Sequence, residues 1–110
     1  MAFFLMRCLN NPDVHELREK IRPQHREWVG SGGNGLVSVL IGSALVDDKG
    51  SSCGNFGILE AKSRADAQAF AEGDPFRKAG IIATIELTPL PDTFQVGRIS
   101  EPMSPRLPAE

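Results

Sequence analysis

The 110-residue chain has few aromatic residues and no excess of positive charge. It contains no tyrosine, one tryptophan and six phenylalanines, and its formal net charge is −2 at pH 7. A chain with this charge has no broad electrostatic attraction for nucleic acid or for an anionic membrane. An RNA-binding sheet would also need paired aromatic residues in basic surroundings, and the sequence lacks this pattern. We therefore expect no nucleic-acid partner and no membrane association.

Long apolar runs and cysteines are also scarce. No apolar run approaches the roughly 20 residues that a membrane-spanning helix needs. Residues 1–7 lack both a basic leader and a long apolar core, so we expect no signal peptide. The only cysteines, Cys8 and Cys53, lie far apart without paired spacing. Two free thiols in a cytoplasmic protein are the favoured interpretation, with a disulfide as the alternative, and Cys8 is expected in the core.

The most informative segment is 63–87. Ser63 is a favourable helix N-cap, and the alanine-rich stretch after it predicts a helix that ends at Gly73. Asp74 then caps a single further turn, with a proline at its first position. The β-branched run 81–87 predicts a strand. The segment therefore reads as a helix, a tight corner and a strand.

The chain before this segment supplies the rest of one domain. The predicted elements are, in chain order, a strand at 3–8, a helix at 14–28, a strand at 36–45 and a strand at 55–61. The order βαββαβ is typical of the ferredoxin-like α+β fold, with both helices on one face of a four-stranded antiparallel sheet. Asp13 and Glu16 are expected to cap the first helix, and Pro23 to kink or restart it.

Three segments outside these elements are predicted to be irregular. Residues 30–35 predict a flexible glycine-rich loop, and they lack the Gly-Lys-Ser/Thr sequence of a phosphate loop. Residues 47–52 predict a hairpin turn rather than a cation site, because no further carboxylate follows at ligand spacing. After a domain at 1–90, residues 91–110 are predicted to form a proline-rich extension, with a short edge strand at 93–99 and an extended chain at 102–110.

The predicted strands carry apolar residues on both faces, as the alternation at 3–6, 56–61 and 81–85 indicates. Two helices can cover only one face, and the other would expose more than the few hundred Å² usual for monomers. We therefore predict a homodimer packed through the second sheet face, with Phe56 and Ile82 in the interface. The alternative is a monomer whose own tail covers this face.

One histidine stands on the apolar stripe of the first helix. His25 fills the gap in the series Val14, Leu17, Ile21 and Trp28. A buried histidine must pair its ring nitrogens, because an unpaired buried polar group costs about 1–3 kcal/mol. Beside a carboxylate it would be held in one tautomer and could serve as a general acid or base near neutral pH. The alternative is a structural histidine that ties the helix to the sheet.

Other candidate site residues are weaker. Asp74 could be the carboxylate partner of His25, since N–H groups at its cap position favour the ionised form. Arg22 could orient an anionic substrate, although a solvated surface arginine is the simpler explanation. Ser43 could donate a hydrogen bond in a pocket, although a serine at a strand bend needs no ligand. His15 lies roughly 80° away from His25 around the helix, so the two form no metal pair, and we expect no metal and no cofactor.

Three motifs resemble the YCII-related (YciI-like) proteins: Arg-Pro-Gln-His at 22–25, Val-Asp-Asp-Lys-Gly at 46–50, and the segment 69–80. The resemblance covers about residues 2–90 and is most specific in the third motif, where Asp-Pro-Phe is followed by Ala-Gly and a strand. It implies a dimeric α+β barrel. It also carries a suggested catalytic pair onto His25 and Asp74.

The resemblance implies a function as well as a fold. Relatives include a dehydrochlorinase of chlorinated hydroxyquinols, and the wider barrel superfamily includes muconolactone isomerases. We therefore predict a small cofactor-independent lyase or isomerase in which His25 and Asp74 act on a small anionic substrate, such as a cyclic one. Arg22 and Ser43 are the predicted substrate-binding residues. The alternative is a non-catalytic small-molecule-binding or interaction module of the same dimeric fold. The chain departs from the family pattern in its longer glycine-rich loop and at Gly42-Ser43, where Gly-Pro is common.

Overall fold

A computed structural model describes residues 1–108 of the chain. The strands are β1 (Ala2–Asn10), β2 (Val37–Val46), β3 (Ser52–Ala61) and β4 (Ile82–Leu90). The helices are α1 (His15–Gly30), α2 (Gly32–Gly35), α3 (Arg64–Gly73) and α4 (Pro75–Lys78). The strands form one antiparallel sheet in the order β2-β3-β1-β4, which is the predicted ferredoxin-like α+β arrangement. No helix within residues 1–108 is both long and apolar enough to cross a membrane.

The core lies between the helices and one face of the sheet. The strands contribute Phe4, Met6, Cys8, Val37, Val39, Leu59, Ala61, Ile82 and Leu87. As the pattern predicts, α3 adds its narrow apolar face, and α4 adds Phe76, which is fully buried. The predicted cap of α3 is also present, because Ser63 accepts a hydrogen bond from the Asp66 N–H at 3.2 Å. Leu17 is an exception to the predicted stripe of α1, since it is 38% exposed.

The start of α1 differs from the prediction. The N-cap residue is Val14, which makes no side-chain cap hydrogen bond. The prediction that Asp13 and Glu16 cap α1 is therefore wrong. Asp13 has a φ of 59°, a left-handed conformation that places it outside the helix, so the cap position moves one residue on. The helix continues through Pro23 without a restart.

The glycine-rich segment, predicted to be an irregular flexible loop, contains a tight left-handed turn at Gly32–Gly35. Its flexibility stays a prediction. The φ angles from Gly32 to Gly35 are 62°, 65°, 58° and 91°, a run that glycine and asparagine tolerate best. A Cβ on Gly33 would lie 2.8 Å from the Phe70 ring and 2.9 Å from the Trp28 ring. The missing side chain therefore lets the turn pack directly against these two stacked rings.

The outer face of strand β4 is polar over most of its length. Ile82 is 3% exposed and lies in the core, so its predicted place on the second sheet face is wrong. The pairing of β1 with β4 shifts register between Leu9 and Asn10, where Thr84 and then Ile82 are the successive partners. This irregularity breaks the alternation along β4 and turns Ile82 inward. The outward positions Glu86 and Thr88 are polar and exposed.

The second sheet face nevertheless keeps one apolar patch. Leu5, Ile58 and Ile41 are paired neighbours across β1, β3 and β2, and we refer to these three residues as the outer patch. Leu5 and Ile58 are half-buried, and Ile41 is 46% exposed. Part of the same face is covered within the chain, because the Phe94 ring packs on Phe3 with the ring centroids 5.3 Å apart.

The chain after β4 returns to the opposite edge of the sheet. Residues 93–99 contain a 3₁₀ turn at Val96–Arg98 rather than the predicted edge strand. Further on, the N–H groups of Met103 and Ser104 both donate to the Val39 carbonyl, at 2.9 and 3.2 Å. The C-terminal segment therefore hydrogen-bonds to the edge of β2 that no other strand pairs with in the described part of the chain. The predicted extended end includes residues 109 and 110, which lie outside the described residues.

Candidate active site

Two side chains predicted to form a pair are in direct contact. His25 projects from α1, and its Nδ1 lies 2.9 Å from both carboxylate oxygens of Asp74. The two side chains are 16% and 7% exposed. The predicted distance for a direct hydrogen bond is met, so no bridging water is needed.

Local structure holds the Asp74 carboxylate in place. Asp74 is the N-cap of α4, and its Oδ1 accepts a hydrogen bond from the Phe76 N–H at 2.9 Å. The preceding residue, Gly73, packs so closely on Trp28 that an added Cβ would lie 2.6 Å from its ring. This close approach brings the end of α3, and hence Asp74, against α1. The carboxylate is thus fixed by a helix cap on one side and by His25 on the other.

The contact with Asp74 also determines what the other ring nitrogen of His25 can do. An ionised carboxylate only accepts hydrogen bonds, so Nδ1 carries the proton and Nε2 of the neutral ring is left as an acceptor. No described residue hydrogen-bonds to Nε2. The imidazole ring stacks on Phe76 at a centroid distance of 3.9 Å and an interplanar angle of 8°. The orientation of the ring is therefore fixed, and Nε2 is unpaired in the described part of the chain.

A cavity of about 340 Å³ lies between α1 and the sheet, and His25 is on its wall. The α1 side chains on the wall are those of Arg18, Arg22, His25, Arg26 and Val29, which share one helix face. The wall also includes the apolar side chains Met6, Val39, Phe70 and Phe76. Among the described residues, three arginines and the one carboxylate of Asp74 line the wall, so this part of the wall is net positive. Such a cavity favours an anionic ligand with an apolar body.

Arg18 is the principal site residue that sequence reasoning missed. It is only 5% exposed, and its guanidinium lies 4.7 Å from the centroid of the Phe76 ring. Its Nη2 donates to the Gly54 carbonyl at a long 3.4 Å, and its Nε has no partner among the described residues. Burial lowers the pKa of Arg18 from its ordinary value, and the nearby Arg22 acts in the same direction. The seven-residue spacing from Arg18 to His25 was the available signal, since it places both on one helix face.

Asn55 is a second missed residue on the cavity wall. It is 6% exposed, and its Oδ1 has no hydrogen-bond partner in the described part of the chain. Asn55 lies two residues before Gly57 and four before Leu59, so it shares the inward face of β3. The signal available in the sequence was a polar residue at an inward-facing strand position. Arg18 and Asn55 together bring an unpaired donor and an unpaired acceptor to the same cavity.

The comparisons with known proteins agree with this fold. Residues 2–91 match the model of the YCII-related domain family. This chain belongs to that family. No curated protein matches the chain. A similar solved structure is 5-chloro-2-hydroxyhydroquinone dehydrochlorinase from Burkholderia phenoliruptrix AC1100, in complex with 2,5-dihydroxybenzoquinone. The two share 24% identity with a TM-score of 0.66, and the match covers 78% of this chain and 90% of the other, so the likeness shows the fold.

The two predicted substrate-binding residues of this YCII-related protein both lie on the cavity wall, but neither is free of other contacts. Arg22 forms an ion pair with Glu19 at 3.3 Å, and the side chains are 41% and 49% exposed. The Ser43 hydroxyl donates to the Ala44 carbonyl at 2.9 Å. A role in substrate binding stays a prediction for both residues.

Cys8 is buried in the core, as predicted. Burial raises the pKa of the Cys8 thiol to about 12, with Asp74 acting in the same direction, so the thiolate needed for nucleophilic attack is disfavoured. Both Cys8 and Cys53 are free thiols. Within residues 1–108, no group of three or more His, Cys, Asp or Glu side chains is placed to hold a metal ion.

Proposed function

We propose that this YCII-related protein is a small lyase or isomerase that moves a proton on a small, anionic, cyclic or enolic substrate. The observation that carries the proposal is the state of His25: Asp74 holds Nδ1, Nε2 has no hydrogen-bond partner among the described residues, and His25 lies on the wall of the cavity. A structural histidine would instead be bonded to backbone and sealed by Trp28. The Trp28 Nε1–H donates elsewhere, to the Phe70 carbonyl at 3.1 Å.

The charges around His25 support an anionic substrate. Arg18 is buried with an unpaired Nε, and a buried charge without a full set of partners is unfavourable unless a ligand supplies them. Asn55 offers an unpaired carbonyl oxygen at the same cavity. A ligand with an anionic oxygen for Arg18 and a hydroxyl for Asn55 would satisfy both groups. Hydroxylated aromatic and quinonoid anions have this combination.

The proposed chemistry is a proton transfer at Nε2. Neutral His25 removes a proton from the substrate and becomes an imidazolium ion, which the Asp74 carboxylate stabilises through Nδ1–H. The electron pair left on the substrate delocalises onto an oxygen facing Arg18. In an isomerase, His25 returns the proton to a different carbon. In a lyase, the electron pair forms a new double bond and a leaving group departs as an anion.

The size of the cavity and the similar solved structure add support. A cavity of about 340 Å³ is at the lower end of the ~300–1,000 Å³ typical of small-molecule sites. The dehydrochlorinase of the same fold was solved with 2,5-dihydroxybenzoquinone, a small cyclic compound with two acidic hydroxyl groups. This compound is therefore a suitable first probe for the cavity.

We further infer that the protein forms a homodimer through the outer patch, in the cytoplasm. Leu5, Ile58 and the 46% exposed Ile41 form a continuous apolar row across three strands. A second copy of the same sheet face would cover this row by two-fold symmetry. The two free thiols support a reducing, cytoplasmic setting.

The test uses 2,5-dihydroxybenzoquinone with the full chain. Its binding is followed by absorbance titration, and exchange of its ring protons for deuterium in D₂O is followed by NMR. The wild-type protein should bind the compound and accelerate exchange. His25→Ala should lower the exchange rate by about 10²-fold or more while binding persists, since general acid–base catalysis contributes about 10²–10⁴-fold. His15→Ala is the matched control, because His15 is an exposed histidine on the same helix.

Two outcomes would count against the proposal. Equal exchange rates for wild type and His25→Ala would show that His25 is not the base. Absence of binding for this compound and for other hydroxylated ring anions would favour the non-catalytic alternative.

A further inference from the structure

One wall residue of the cavity comes from outside the part of the chain that matches the family. Met103 lies on the wall together with Arg22, His25 and Val39, whereas the family match ends at residue 91. The other wall residues in the described part of the chain all lie within the matched range. The C-terminal segment therefore adds a side chain to a cavity that is otherwise built from the family domain.

The backbone around Met103 is tied firmly to β2. The Val39 N–H donates to the Ser104 hydroxyl at 2.7 Å, and the Val39 carbonyl accepts from the Met103 N–H at 2.9 Å. Ser104 is 5% exposed, which is unusual for a serine in a tail. A Cβ added to Gly32 would lie 3.0 Å from the Ser104 hydroxyl oxygen, so the left-handed turn also packs against Ser104. These contacts determine where the Met103 side chain leaves the backbone.

The Met103 side chain lies over a glycine of β2. Its Sδ is 3.8 Å from the position that a Cβ on Gly42 would take. Met103 is also 48% exposed, so it keeps the conformational freedom of an unbranched thioether. Such a side chain can pack on the edge or face of an aromatic ring, a favourable contact for sulfur.

We propose that Met103 is a specificity-determining residue of this cavity and that Ser104 positions it. Met103 limits access to Nε2 of His25 and supplies an apolar contact for the ring of the bound anion. The ligand part of this inference rests on the proposed function. The access part does not, because it concerns only the route to His25.

Access can be measured without knowing the substrate. Diethyl pyrocarbonate modifies neutral imidazole, and the rate at His25 can be divided by the rate at the exposed His15 within the same molecule. Met103→Ala should raise this ratio several-fold, and Met103→Trp should lower it several-fold. Met103→Leu is the control of similar volume and should leave it close to wild type. Ser104→Ala should raise the ratio in the same direction as Met103→Ala.

The ligand part is tested by titration with 2,5-dihydroxybenzoquinone. Met103→Ala should weaken binding by about tenfold, the effect of losing roughly 1.4 kcal/mol of apolar contact. If the ratio of the modification rates at His25 and His15 is the same in wild type, Met103→Ala and Met103→Trp, the access part is overturned. Binding that is unchanged in Met103→Ala would overturn the ligand part. If the wild-type protein bound no ring anion, the proposed function would fail, and the ratio would still decide whether Met103 controls access.

Discussion

Nδ1 of His25 lies 2.9 Å from both carboxylate oxygens of Asp74, although 49 residues separate the two in the sequence. The contact joins the middle of α1 to the corner between α3 and α4. Because Asp74 also caps α4, the same carboxylate serves the fold and the proposed chemistry. These two roles can be separated by substitution.

Asp74→Asn should preserve the cap and lose the charge. Asparagine is as good an N-cap as aspartate, so the free energy of unfolding should change little, whereas Asp74→Ala should cost at least about 1 kcal/mol. The neutral amide no longer stabilises an imidazolium ion at His25. Deuterium exchange of 2,5-dihydroxybenzoquinone should therefore slow in Asp74→Asn while urea unfolding stays close to wild type. An Asn variant with full exchange activity would show that the charge of Asp74 is not needed.

Arg18→Met should weaken anion binding without destabilising the fold. The buried guanidinium has one long hydrogen bond and an unpaired Nε, so replacing it with an apolar side chain of similar length should be neutral or stabilising in urea. Affinity for 2,5-dihydroxybenzoquinone should fall by about tenfold or more, since a charge-assisted hydrogen bond contributes roughly 1.5–3 kcal/mol. Arg22→Met is the matched control, because Arg22 is more exposed than Arg18 and is paired with Glu19, and it should have the smaller effect. A larger loss of affinity in Arg22→Met than in Arg18→Met would contradict the assignment of Arg18 as the main anion-binding residue.

Gly33→Ala should destabilise the protein more than Gly35→Ala. Both glycines have positive φ angles, 65° and 91°, so each substitution carries a backbone cost of about 1 kcal/mol. At Gly33 the new methyl group would also press on the rings of Phe70 and Trp28, whereas at Gly35 nothing lies within 4 Å. Urea unfolding of the two variants measures the difference. Equal losses would mean that the turn does not pack on these rings in solution.

Ile41→Asp should convert the proposed homodimer to a monomer that remains folded. Ile41 is 46% exposed within one chain, so the charge harms the fold little, but a dimer through the outer patch would bury it. Light scattering at micromolar concentration gives the mass, and circular dichroism reports the fold. Leu17→Asp is the control, because Leu17 is an exposed leucine on α1, in the helical layer. A wild-type protein that is monomeric under these conditions would refute the dimer.

Cys8 should make the protein sensitive to alkaline pH. The folded state keeps the thiol proton up to a pKa of about 12, whereas the unfolded chain releases it near the ordinary value of 9.0. Between these values the unfolded state binds fewer protons, so stability falls as pH rises, by up to about 1.4 kcal/mol per pH unit. Below pH 9.0 this contribution is fully present. The chain has no tyrosine, which simplifies the comparison.

Urea unfolding on either side of pH 9.0 provides the measurement for Cys8. Cys8→Ala should lose some stability at every pH through reduced packing but should show a shallower decline above pH 9.0. Cys53→Ala is the matched control, since Cys53 is only half-buried. A decline of the same slope in Cys8→Ala and wild type would mean that other groups cause the alkaline loss.

Much of the fold could be predicted because its signals are local. The caps at Ser63 and Asp74, the β-branched run that begins near residue 81 and the hairpin turn at 47–52 each depend on neighbouring residues alone. The pairing of His25 with Asp74 was also predicted, from the position of His25 on α1 and a family motif. Where a local signal was misread, as at Asp13, a backbone angle that side-chain preferences do not reveal was the reason.

The sequence by itself determined the elements and their order, since hydrophobic period, caps and turns act within a few residues. Only the tertiary structure decided which side chains share the cavity. Arg18 and Asn55 belong to different elements, and Met103 reaches the wall because Ser104 binds the edge of β2. The inward turn of Ile82 likewise depends on a register shift between two strands. These outcomes arise from contacts between residues distant in sequence, and no pattern along one segment encodes such contacts.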